Sequence, residues 1–270
     1  MAYPSAPAFP STPNTASGGG GGGGGGGTGS WTTLVDIDCT DVTTESAQTS
    51  GTVTLQFESS DATLSQTVTR YSSANGSVTA TNGTGLLCDG GTGSGTVTAS
   101  WDIDALLASY TRADVSSYIY AVHVVITSLV YPSAGSSQAF IGVNKGNNNS
   151  HNGGEARGIF LKDNNDGTNE DVRVRSNTSN SSVLATTAIK TSRVVTSIVL
   201  SGAIVEVMDT SGTTPPTPLP GGSGTITVGG DAVGLNGTTP IYQSNGLNAY
   251  VGVGEKADCT VTRILVQRYK

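Results

Sequence analysis

Paired carboxylates on one strand would make a sugar-cleaving site, and the chain offers one near miss, Glu206-Val-Met-Asp209. Retaining glycoside hydrolysis needs two carboxyls about 5–5.5 Å apart. Residues an odd number of positions apart on a strand point to opposite faces, so Glu206 and Asp209 are expected to diverge, and no third carboxylate joins them. His123 lies in an apolar run and His151 in an Asn-rich stretch. That placement predicts a hydrogen-bonded core histidine and a loop histidine rather than a metal pair. No Gly-x-Ser-x-Gly elbow is present to expose a nucleophilic serine. Gly90, Gly91 and Gly93 lack the lysine and the following helix of a phosphate-binding loop. The expectation is a protein without enzymatic activity.

Two binding constellations are weaker in type. Asp163-Asn-Asn-Asp166-Gly-Thr-Asn-Glu170 is rich in hard oxygen donors, and Asp163, Asp166 and Glu170 would suit calcium. A glycine falls where the third side-chain ligand of a calcium loop belongs, which leaves a polar hairpin turn at Asp166-Gly167 as the alternative. The polar loop Lys145 to Glu155, with Asn148 and His151, would contact a glycan through its amides, and Tyr242 and Tyr250 would stack on sugar rings. The alternative there is a solvated loop tip. Cys39, Cys88 and Cys259 fit no metal spacing. They are expected as buried reduced thiols, with a single Cys39–Cys259 bridge as the alternative.

The elements that must position these residues are strands. Only 12% of the residues are charged and 35% are hydrophobic, so Ser, Thr, Asn and Gly make up the balance. Disorder combines low hydrophobicity with high charge; with charge low as well, sheets with hydroxyl-bearing outer faces are expected. From Trp31 onward the pattern has period two. Strands are predicted at Trp31 to Asp38, Thr52 to Glu58, Ala62 to Tyr71, Ser77 to Thr81 and Gly95 to Ile103. Gly83 to Gly95 is expected as a loop, and Asp104 to Ser109 as a short helix. Ser117 to Val130 is apolar on both faces and reads as a central strand. Further strands follow at Gln138 to Asn144, Arg157 to Asp163, Glu170 to Arg175, Thr225 to Val228, Ala249 to Gly254 and Thr260 to Tyr269. Arg193 to Leu200 and Ala203 to Met208 form a hairpin through Ser201-Gly202. About a dozen short strands with almost no helix predict an all-β, two-sheet antiparallel sandwich or jelly roll over residues 31–270.

Ahead of that body lies a different composition. Residues 1–17 carry Pro4, Pro7, Pro10 and Pro13 at three-residue intervals, the period of a polyproline II helix. Tyr3 and Phe9 are its large side chains, so Tyr3, Pro4, Pro7, Phe9 and Pro10 are the residues expected to anchor an extended N-terminal arm on a partner, with a solvated tail as the alternative. Residues 18–30 follow as a tether dominated by the glycine run Gly18 to Gly27. As a free coil, that run spans about 18 Å. The net charge of −7 and the absence of a Lys/Arg stripe disfavour nucleic acid as a partner. The start lacks the basic and apolar regions of a secretion signal, and no apolar run is long enough for a membrane helix.

The order of these features resembles the concanavalin A-like (lectin/glucanase) jelly roll. The opening Trp31-Thr-Thr-Leu-Val-Asp-Ile-Asp, the late Tyr250-Val-Gly-Val-Gly and the closing Thr262-Arg-Ile-Leu-Val-Gln-Arg carry the likeness. The Ser/Thr/Gly/Asn texture also resembles bacteriophage head-decoration, fibre and tail proteins, in which an extended arm anchors a sandwich domain. The resemblance implies a homo-oligomeric virion component made in the host cytoplasm and held by its arm to other virion proteins. It also implies a host-surface glycan as an alternative partner.

Overall fold

The computed structural model describes residues 30–58, 63–72, 75–93, 96–102, 119–132, 137–145, 157–164, 166–175, 180–200, 203–217, 225–228, 231–234, 247–254 and 256–269. Seventeen strands run through them: β1 (Trp31–Asp38), β2 (Ser50–Glu58), β3 (Thr63–Ser72), β4 (Ser77–Thr81), β5 (Gly85–Asp89) and β6 (Thr96–Asp102). Next come β7 (Ile119–Val130), β8 (Gln138–Lys145), β9 (Arg157–Asp163), β10 (Asn169–Arg175), β11 (Asn180–Ala188), β12 (Arg193–Leu200) and β13 (Ala203–Ser211). The last are β14 (Thr225–Val228), β15 (Asp231–Gly234), β16 (Leu247–Gly254) and β17 (Asp258–Tyr269). No helix occurs among the described residues. The short helix expected at 104–109 and the arm and tether of residues 1–29 lie outside them.

Strand pairing resolves into two sheets. One runs β2-β3-β6-β16-β8-β9-β10-β11. The other runs β1-β17-β7-β12-β13-β14-β15. Every pairing is antiparallel except β13 with β14. A short β1–β2 pairing at Asp36, Ile37, Phe57 and Glu58 joins the sheets along one edge. The sheets face each other with β12 over β8, β13 over β9 and β16 over β17, which is a sandwich. Alternate residues fill the interior: Val53 and Leu55 from β2, Ile141 and Val143 from β8, Val195 and Val199 from β12, Ile264 and Val266 from β17. The expected central strand is β7, buried on both faces from Tyr120 to Ile126. On the face of β8 and β9 away from the main core, the register partners Phe140 and Phe160 are buried as a second small cluster.

Three strands depart from expectation. β5 lies inside the segment expected as a loop. Its Leu86 and Cys88 are buried because β5 occupies the edge of β17 over Asp258 to Val261, beyond the stretch that β1 covers. Gly85 makes this possible: its φ is +114°, and a Cβ there would lie 2.3 Å from the Val261 carbonyl oxygen. β11 reads as a polar Ser/Thr/Asn stretch and forms because β10 offers it a ladder. β15 is a four-residue return strand on β14.

The register gives the sandwich two unlike ends. Trp31 pairs with Tyr269 at one end, their rings 5.4 Å apart, so the chain from residues 1–30 arrives there. The opposite end is closed by the connections from β7 to β8, β9 to β10, β11 to β12 and β16 to β17.

Candidate functional site

The chemically richest place among the described residues lies between the sheets at the end opposite Trp31. Arg193 opens the apolar strand β12 and shares the inward face of Val195. Asp209 on β13 shares the inward face of Val207, and Glu170 on β10 that of Val172. Strand alternation therefore drives all three charged side chains into the interior, where each is fully buried. Arg193 donates to Glu170 across the gap between the sheets and, over 3.3 Å, to Asp209 Oδ2. Tyr131 donates its hydroxyl to Glu170 Oε2 at 2.9 Å. Lys190, from the β11–β12 turn, donates to Asp209 Oδ2 at 2.7 Å and also reaches the Asp209 carbonyl and lines the surface.

The cluster holds two cations and two carboxylates, so it is neutral as a whole. Burial raises the Glu170 carboxyl above its ordinary value, and Arg193 and the Tyr131 hydroxyl offset part of that rise. Burial works to lower the Arg193 guanidinium, but Asp209 and Glu170 outweigh it and hold the group above its ordinary value. Burial also pushes the Tyr131 phenol well above its usual range. Two buried atoms are left over: among the described residues no group bonds Asp209 Oδ1 or Arg193 Nε. A groove of about 460 Å³, formed by the 187–192 turn and Ser211, opens to solvent over Lys190.

The residues singled out from sequence are distributed differently from the expected calcium site. Asp166 is exposed and caps the β9–β10 turn: its Oδ1 accepts from the Thr168 and Asn169 amides, each at 2.7 Å, and its Oδ2 from Asn169 Nδ2 at 2.6 Å. These bonds, Asn169 foremost, hold its carboxyl well below the usual range. Gly167 takes φ +71°, as the expected turn requires. Glu170 is committed to Arg193 and Tyr131, and Asp163 is buried. Among the described residues no group of three or more His, Cys, Asp or Glu side chains is arranged to hold a metal ion.

His123 is the hydrogen-bonded buried histidine expected. Its Nδ1 meets Thr196 Oγ1 at 2.7 Å and its Nε2 meets Gln267 Oε1 at 2.9 Å. Burial, with a further push from Arg263, lowers its pKa to about 4 despite the Gln267 bond. All three cysteines are free and buried, so the Cys39–Cys259 bridge does not form. Cys259 instead stands opposite Cys88 in the β17–β5 register. Burial pushes the Cys88 thiol up to about 12, the state of an inert core thiol.

Tyr3, Pro4, Pro7, Phe9 and Pro10 lie outside the described residues, as do Asn148, His151 and Tyr242. Tyr250 belongs to β16 and pairs with Gly142 and Ser100 through its backbone; its side chain is outside the described set. Of the Glu206 and Asp209 pair weighed for glycoside cleavage, one side chain is described. Asp209 is consumed by Lys190 and Arg193, while the Glu206 side chain is outside the described set.

No family model matches the sequence, and no curated protein matches it. Among solved structures the chain is similar to one from work on how botulinum neurotoxin type C enters cells, described as dependent upon interaction with two ganglioside molecules. The identity is 10% and the TM-score 0.37; the match covers 84% of this chain and 48% of that one. A superposition that loose carries no functional inference.

Proposed function

We propose that the protein is a structural component of a bacteriophage virion, a lectin-like sandwich displayed on the particle by its N-terminal arm. One observation supports this reading above the others: the arm and tether join the body at β1, and β1 is built into the fold along nearly its whole length. β1 pairs with β17 from Trp31 to Asp38 and with β2 at Asp36 and Ile37. Tension on the arm along β1 would load that ladder in shear, with its hydrogen bonds sharing the force. The bidentate Arg263–Asp36 pair, at 2.6 and 2.5 Å, ties the same two strands. Buried ionisable groups fit a body that bears load rather than one that turns over substrate, because Glu170, Asp209, Arg193 and His123 are each bound to another side chain.

Deletion of residues 1–27 tests the reading. The truncated protein is expected to keep its β-sheet circular dichroism and its cooperative unfolding, and to lose co-sedimentation with particles. Normal incorporation without the arm would contradict it. Retention of the truncated body by bacterial surface polysaccharide would instead move the reading to a carbohydrate-binding adhesin of the same fold.

A further inference from the structure

We propose that Lys190 and Asp209 are joined in the folded protein by an intramolecular amide bond, formed without cofactor or added enzyme. Lys190 Nζ stands 2.7 Å from Asp209 Oδ2. A carbonyl C–O bond is about 1.2 Å long, so Nζ lies within about 4 Å of Cγ, close to the ~3–3.5 Å of a near-attack geometry. The two side chains are 13% and 0% exposed, so packing holds the reacting atoms together and keeps the attack intramolecular.

The step balances within the pair. A proton passes from the Lys190 ammonium to Oδ2 along their hydrogen bond, giving an amine and a carboxylic acid. Nζ then attacks Cγ, and the Nζ–Cγ bond forms. A second proton moves from Nζ to Oδ2, the Cγ–Oδ2 bond breaks, and Oδ2 departs as water, leaving a neutral amide. Nothing is oxidised or reduced. Arg193 Nη1 donates to Oδ2 from 3.3 Å and so fixes the orientation of the Asp209 carboxyl towards Lys190. The water has a way out, because the groove over the 187–192 turn is lined by Lys190 itself.

Two features of the cluster favour the amide over the ion pair. Four charges meet in or at the edge of the interior before the step; afterwards only Arg193 and Glu170 remain, matched one to one. Burying ions is costly even when they are paired, so removing two of them lowers that cost. Asp209 Oδ1 finds no donor among the described residues. Such an orphan is expensive on a carboxylate and much cheaper on a neutral amide. The product would brace the base of the β12–β13 hairpin, where Glu170 links the two sheets.

Peptide mapping by tandem mass spectrometry of the full-length protein tests the proposal. The expected product is a branched peptide carrying Lys190 joined to Asp209, lighter by one water than its two components, with Lys190 resistant to trypsin. Lys190→Arg and Asp209→Ala should each give only linear peptides. Linear wild-type peptides with an unmodified Lys190 would overturn the proposal. So would a lost water that maps to Asp166-Gly167, a sequence prone to cyclise on its own, or one that persists in Lys190→Arg. Because the decisive sample is the wild-type chain, a variant that fails to fold does not blunt the result.

Discussion

Arg263 and Arg193 each pair with a carboxylate, yet the energetic weight of the two pairs is expected to differ several-fold. Arg263 and Asp36 are each 40% exposed, so water and salt screen their pair, and pairs of that kind contribute at most about 1 kcal/mol. Arg193 is buried and is the cation bound to Glu170. Removing it strands a carboxylate with only the Tyr131 hydroxyl for company. Breaking a buried pair from one side costs about 3–5 kcal/mol. Urea titrations should therefore show Arg193→Met losing stability on that order and Arg263→Met losing no more than about 1 kcal/mol. Equal losses would mean that burial does not decide the difference. His123 adds a pH dependence whose sign follows from its lowered pKa. Unfolded, the imidazole takes up a proton near its ordinary 6.5; folded, it resists until about 4. The unfolded state thus binds more protons in that window, and the contribution, present in full above 6.5, is lost as pH falls towards 4. Integrated over the window, it amounts to about 3 kcal/mol. Chemical denaturation between pH 7 and pH 4 should show that slope in the wild type and a flatter one in His123→Gln; identical slopes would contradict it.

Strands were legible in the sequence where alternation was strong and opaque where pairing supplied what pattern lacked. β1, β4 and β9 fall where period-two alternation puts them, and β7 announces its burial on both faces. β11 carries its apolar residues Val183, Leu184 and Ala185 side by side rather than in alternation, and it is held by β10. β5 is a five-residue run whose place depends on an edge of β17 that β1 leaves uncovered, where Leu87 stands opposite Thr260.

 Those register partners are too far apart in the chain for any local pattern to signal. The parallel β13–β14 pairing is equally invisible locally, because it depends on how residues 212–224 return the chain. The buried cluster escaped for the same kind of reason. Arg193, Asp209 and Glu170 each sit near a strand end, where a charge ordinarily reads as solvent-facing, and only the stacking of the two sheets turns them towards one another. Asp166, by contrast, was legible as a turn residue because its partners are two and three positions away. For β5 the account makes a specific prediction. Gly85→Ala would place a Cβ against the Val261 carbonyl at a φ that side chains rarely adopt. The variant should lose about 1–3 kcal/mol, with hydrogen-exchange protection falling first in β4, β5 and the start of β17. Unchanged protection there would show that the close approach is not what seats β5.

At the scale of the whole molecule, the sandwich has a braced end and an end at which residues 1–30 join β1. Glu170, Arg193, Asp209, Lys190 and Tyr131 tie the sheets together where the connections are short. Trp31 and Tyr269 mark the other end, where the tether arrives. The proposed anchorage at one end, with bracing at the other, would suit a body that is held and displayed. The low charge and the net −7 would suit the proposed display on a particle, because a surface of that sign is not drawn to phosphate. The most direct test places a photo-crosslinking amino acid at Tyr3, or at Phe9, and irradiates assembled particles. Crosslinks to a neighbouring virion protein are the predicted result, with none from the same probe at an exposed body position such as Thr186. Particles that carry the protein but yield no crosslink from either arm position would contradict the claim that the arm is the anchor.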